Sequence, residues 1–127
     1  EALPTGTEQI LFVDDEEMIA DMGQNMLERL GYRVTTLVNS FAALQTFRNN
    51  ADQFDLVITD QTMPGMTGAE LAGEMLRLRP DIPIILCTGY SSIISEEKAK
   101  LIGIREFLMK PIVKKDIAQL IRNVLDS

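Results

Sequence analysis

The stretch Phe54–Gly68, FDLVITDQTMPGMTG, decides how this chain folds. Leu56-Val57-Ile58-Thr59 is apolar and β-branched, as a strand covered on both faces requires. The run stops on Asp60, and the turn formers Pro64, Gly65 and Gly68 follow at once. A carboxylate at the end of a buried strand is costly unless something nearby meets its charge. The carboxyl ends of strands are also where open parallel α/β sheets hold their ligands. The other segments matter for what they bring to Asp60.

Upstream, residues 1–8, EALPTGTE, are polar and turn-prone and read as a linker, so the folded domain is expected over 9–127. Gln9 to Val13 is a short apolar run that halts at Asp14-Asp15. Met18, Ile19, Met22, Met26, Leu27 and Leu30 then recur at helical spacing, with Gly31 as the expected cap. Tyr32 to Val38 predicts a strand, and Ser40 a cap for a helix carrying Phe41, Leu44 and Phe47. Downstream, Thr67 and Glu70 have capping-box spacing for a helix with Leu71, Met75 and Leu76, which Pro80 ends. Ile82 to Cys87 predicts a further apolar strand that stops at Thr88-Gly89. A helix opened by Ser92 or Ser95 and closed by Gly103 follows. Ile104 to Met109 gives the last strand, which ends at Lys110-Pro111. Ile117, Leu120, Ile121, Val124 and Leu125 give the last helix an apolar face.

Five strands alternating with five helices over short loops predict an α/β fold with a parallel sheet covered on both sides. Right-handed crossovers then place every strand's carboxyl end on one edge.

The 127 residues suffice for one domain with a hydrophobic core, and 46% hydrophobic with 24% charged residues is a globular composition. No apolar run approaches the ~20 residues that cross a bilayer, and no signal peptide is visible. A lone Cys87 excludes an internal disulfide and suits a reducing, cytoplasmic setting. A net charge of −7 argues against direct contact with nucleic acid. The chain opens on Glu1 and not Met, which suggests a segment of a longer polypeptide. With no histidine, a Ser-His-Asp triad and a phosphohistidine on this chain are excluded.

The strand ends carry Asp14 and Asp15, Asp60, Thr88 and Lys110. Carboxylates crowded on one edge raise one another's pKa, and a divalent cation relieves that repulsion. Oxygen-only ligands favour Mg²⁺, with Mn²⁺ as the alternative. An aspartate beside Mg²⁺, a lysine and a hydroxyl is suited to accept a phosphoryl group as an aspartyl phosphate.

Over residues 8–126 the chain resembles the response-regulator receiver domains of two-component signalling, through LFVDDE, DLVITDQTMPGMTG, ILCTG and FLMKP, in order and at family spacing. The resemblance implies a doubly wound, flavodoxin-like fold with strand order 2-1-3-4-5. It implies phosphorylation of Asp60 by a histidine kinase or a histidine phosphotransfer domain. Mg²⁺ would be held by Asp15, Asp60 and the backbone carbonyl of Thr62, with Asp14 contributing through water. Thr88 and Phe107 would form a switch pair, and a cis peptide bond would join Lys110 to Pro111. The face of the fourth helix, fifth strand and fifth helix would respond and could support a homodimer. Thr62 and Tyr90 stand where family members tune the lifetime of the acyl phosphate, and Phe107 stands where many have Tyr. The linker-like LPTGTE, the EEMIADMGQNMLERLGY helix and the CTGYS segment further resemble receivers fused to hybrid sensor histidine kinases.

Each site residue has a plainer reading when taken alone. Asp14-Asp15 suits a helix amino end, Asp60 a turn, and Lys110 the surface. Thr88 and Phe107 suit structural roles, Met63, Met66 and Met75 packing, and Cys87 an inert buried thiol. Their convergence on one edge outweighs these readings. Two other functions use the same residues. An aspartyl-phosphate phosphohydrolase would typically carry a second acid where Thr62 stands. A non-phosphorylated pseudo-receiver would not need the intact set of Asp14, Asp15, Asp60, Thr88 and Lys110.

Overall fold

The computed structural model of the chain describes residues 2–89 and 94–127. The strands are β1 (Gln9–Val13), β2 (Arg33–Leu37), β3 (Leu56–Asp60), β4 (Ile84–Thr88) and β5 (Glu106–Met109). All pair in parallel, in the order β2-β1-β3-β4-β5. The helices are α1 (Glu17–Arg29), α2 (Ser40–Asn49), α3 (Gly68–Leu78), α4 (Glu96–Ile102) and α5 (Lys114–Leu125). This is the expected doubly wound topology.

The period of two along the strands sorts the core into two layers. Leu11 and Val13 of β1 face the side built with Ala43 and Phe47 of α2, Leu71 and Met75 of α3, and Ala99 of α4. Ile10 and Phe12 face the opposite side, with Leu27 of α1 and Ile117 and Ile121 of α5. Every residue of β3 is buried, so neither face of the central strand meets water. Each large apolar side chain so buried contributes about 1.5–3 kcal/mol. Gly23 lets α1 lie directly on Phe12, whose ring carbon would sit 2.5 Å from any added Cβ.

Several boundaries differ from those the sequence predicts, each for a local reason. Asn39, not Ser40, caps α2, its Oδ1 accepting the Ala42 N–H at 3.0 Å. Ser40 becomes the first helical residue, and its hydroxyl is buried with no hydrogen-bond partner among the described residues. β5 starts two residues later than expected because the Ile104 N–H turns back to the Ala99 carbonyl at 3.1 Å and closes α4. Ser95 caps α4, accepting the Lys98 N–H at 3.1 Å, while Ser92 lies outside the described residues. Thr67 and Glu70 form the predicted capping box. Gly31, just past α1, adopts φ 102°, a conformation that side-chain-bearing residues rarely reach.

The segment ahead of β1 lies against the domain. The Gly6 N–H donates to the Leu30 carbonyl at 3.1 Å, and Arg33 N–H to the Glu8 carbonyl at 3.0 Å. Leu3 packs on the layer containing Tyr32 and Ile121. No described helix is long and apolar enough to cross a membrane.

Candidate functional site

Strand register assembles the site. Val13 lies opposite Thr59, so Asp14 emerges beside Asp60. Thr88 lies opposite Met109, so Lys110 emerges at the end of β4. The Lys110 N–H donates to the Thr88 carbonyl at 2.8 Å, extending the ladder one residue past the strands. The peptide bond from Lys110 to Pro111 is cis.

The Lys110 ammonium lies between two carboxylates, 2.7 Å from Asp14 Oδ2 and 3.1 Å from Asp60 Oδ1. Asp14 and Asp60 are 1% and 6% exposed. The other oxygen of Asp14 accepts the Glu16 N–H at 2.9 Å, so this residue serves the start of α1 and the site together. Asp15 is the most open of the three acids, and one carboxylate oxygen from each of Asp14, Asp15 and Asp60 lies within 4.8 Å of the others.

Electrostatics make this an unfinished arrangement. Two like charges at that spacing repel by roughly 3 kcal/mol at an effective dielectric constant near 20. Burial pushes the Asp60 carboxyl above its ordinary value, Lys110 pulls it back, and Asp14 and Asp15 push it up again. For Lys110, burial works to lower the pKa, but hydrogen bonds to Asp14 and Asp60 outweigh it, and the ammonium is held above its usual value. One lysine thus faces three acids, and a hard divalent cation fits the oxygen donors that remain. Behind the site, burial pushes the Cys87 thiol up to about 12, and it stays protonated and unreactive.

Of the other expected residues, Thr88 ends β4 half-buried, and Thr62 is exposed in the loop leaving β3. Phe107 is half-buried beside Leu86 and packs on the α2–α3–α4 layer. Tyr90 lies outside the described residues.

The receiver-domain family profile matches residues 10–122. The chain belongs to the response regulator receiver family. Among curated relatives, the two-component response regulator ARR10 of Arabidopsis thaliana is 32% identical over 117 residues, covering 92% of this chain and 21% of that protein. The receiver thus spans about a fifth of the length of the curated relatives it matches. A receiver-domain protein from Clostridium thermocellum superposes with a TM-score of 0.89 at 31% identity, over 94% of each chain. The receiver of the sensor histidine kinase PA1611 from Pseudomonas aeruginosa, solved with magnesium in its active-site cleft, shares the fold with a TM-score of 0.84. That likeness has 22% identity and covers 96% of this chain and 100% of the other.

Two features of this receiver lie beyond what the sequence reading identified. The first is an apolar cavity of about 390 Å³ beside Lys110, walled by Ile19, Met22 and Met26 of α1 and by Pro111 and Ile112. The methionines were visible at helical spacing, but nothing local placed Pro111 against them. The second is Gln61, buried at the root of the loop after β3, with its Oε1 accepting the Ala69 N–H at 2.8 Å. A polar residue directly after a buried strand was the available signal.

Proposed function

We propose that this receiver is the phosphoacceptor of a two-component phosphorelay and that Asp60 takes a phosphoryl group from a phosphohistidine on a histidine kinase or histidine phosphotransfer domain. The observation that carries this reading is the Lys110 ammonium lodged between Asp14 and Asp60, with Asp15 alongside. An Asp60 oxygen attacks phosphorus, the P–N bond to the donor histidine breaks, and the ring nitrogen leaves with the electron pair. Burial raises the Asp60 carboxyl, and the Lys110 ammonium draws it back toward the ionised form that the attack requires. Lys110 sits where it can follow the negative charge onto the phosphoryl oxygens, and the Thr88 hydroxyl offers a further hydrogen bond.

Asp15, Asp60 and the Thr62 carbonyl are the proposed ligands of Mg²⁺ (or Mn²⁺), with Asp14 contributing through water. The bound cation would supply charge neutralisation for the phosphoryl group. The donor must approach over Asp60, so the neighbouring apolar cavity and the 77% exposed Met18 supply its docking face. The responding surface is α4–β5–α5, where Thr88 and Phe107 act as the switch pair. Its exposed Leu101 (84%) and Met109 (59%) are suited to a second copy or an output partner.

The test is labelling by acetyl phosphate with Mg²⁺, followed by the mass of the intact protein. Wild type should gain one phosphoryl group, and Asp60→Asn none. Labelling that persists in Asp60→Asn overturns the reading. Failure of the wild type to label at all favours a pseudo-receiver.

A further inference from the structure

Gln61 is tied by three hydrogen bonds to two elements, β4 and α3, and the chemistry above gives it no part. Its backbone N–H donates to the Cys87 carbonyl at 3.0 Å, joining β4, and its carbonyl accepts the Gly68 N–H at 2.9 Å. Its side-chain Oε1 accepts the Ala69 N–H at 2.8 Å. The first turn of α3 is therefore shared: Thr67 caps the Glu70 N–H at 3.2 Å, and Gln61 takes the two donors before it. Ala69 is only 5% exposed, so an apolar residue at 61 would leave its N–H buried without a partner.

The next residue is Thr62. It is exposed, and among the described residues it makes no hydrogen bond of its own, so its backbone takes its position from its two anchored neighbours, the hydrogen-bonded Gln61 and the buried Met63. We infer that Gln61 is a positioning residue for the metal site: by clamping the root of the β3–α3 loop to α3, its side chain sets how well the Thr62 carbonyl can serve as a ligand. The inference rests on the reading of Thr62 as a ligand given above. Gln61 touches neither the cation nor the phosphoryl group.

The experiment is a titration with MgCl₂ alone, followed by amide NMR shifts, on wild type, Gln61→Met, Asn39→Ala and Asp15→Ala. Gln61→Met keeps the bulk and removes the acceptor. It should bind Mg²⁺ about tenfold more weakly, the lower end of what groups supporting a metal's ligands control. The Ala69 amide should also exchange faster with solvent. Asn39→Ala removes a comparable helix-capping acceptor from α2, so it should lower the melting temperature and leave Mg²⁺ affinity unchanged. Gln61→Glu keeps the acceptor and should bind Mg²⁺ at least as tightly as wild type. Wild-type affinity in Gln61→Met, equal weakening in Asn39→Ala, or weakened binding in Gln61→Glu overturns the positioning role. Asp15→Ala separates the two levels. If it weakens binding while Gln61→Met does not, only the inference on Gln61 fails. If it binds like wild type, the ligand assignment itself falls.

Discussion

The two edges of the sheet each gather acids around one cation, with opposite results. At the carboxyl edge Lys110 sits between Asp14 and Asp60. At the amino edge Arg122 of α5 grips both oxygens of Glu8 at 2.9 Å and Asp126 Oδ1 at 2.7 Å. It also donates to the Tyr32 hydroxyl at 3.3 Å and the Thr5 carbonyl at 3.4 Å. Arg122 holds the Glu8 carboxyl below its ordinary value, and Glu8 and Asp126 hold the guanidinium above its own. For Asp60 the order reverses, because burial outweighs what Lys110 returns. A planar fork satisfied on several sides makes a permanent fastening. An ammonium is a point charge on a flexible stem and can follow charge elsewhere, as the proposed transfer to Asp60 would require. Folding alone satisfies one edge, whereas the other keeps more acids than its single lysine pairs.

That contrast can be broken by exchanging lesions between the edges. Lys110→Ala should slow acetyl-phosphate labelling of Asp60 about a hundredfold, the scale of one lost charge-stabilising donor. Arg122→Ala should leave the labelling rate unchanged, and a comparable loss there would dissolve the division. The stability of Arg122→Ala should fall by about 2 kcal/mol, seen as a lower urea midpoint at unchanged slope. Arg122→Lys should recover less than about half of that, because an ammonium cannot span both carboxylate oxygens. Full recovery would mean that charge alone, without the fork, holds the amino edge.

The smallest effect is one of pH. Glu8 titrates below its ordinary value of 4.5, chiefly through its hydrogen bonds with Arg122. Its ion pair therefore stabilises the fold above that value and is lost as pH falls through the lowered one. The stability gap between wild type and Glu8→Gln should narrow on acidification from about pH 6 to about pH 3. Asp126 is present in both proteins and cancels in the comparison. A gap that holds constant would show that Glu8 acts through packing and not through its charge.

The carboxyl edge was legible in the sequence, and the amino edge was not. Asp14, Asp60, Thr88 and Lys110 each follow a recognisable apolar run, so a parallel sheet alone brings them to one place. Nothing comparable marks Arg122, which sits within a helical repeat, or Glu8, which reads as the end of a polar linker. Their pairing spans 114 positions and needs the whole fold to exist. Gln61 was missed for a related reason, since its partner is a backbone N–H and side-chain patterns do not display backbone donors. The helix starts fared according to their neighbours. Thr67 was legible because Glu70 completes a reciprocal pair, whereas Asn39 and Ser40 are adjacent good caps that propensity alone does not separate.

Gly68 has a consequence of another kind. A Cβ built there would lie 2.1 Å from the carbonyl oxygen of Asp60, so α3 rests on the Asp60 backbone with nothing between them. The spacing of two layers of the molecule is gauged at this point by the width of a bare peptide. A larger residue would remove no charge, donor or ligand, yet it would have to lift α3 or displace Asp60. Harm at this position would come from thickness alone, and a survey that counted only chemical groups would pass over it.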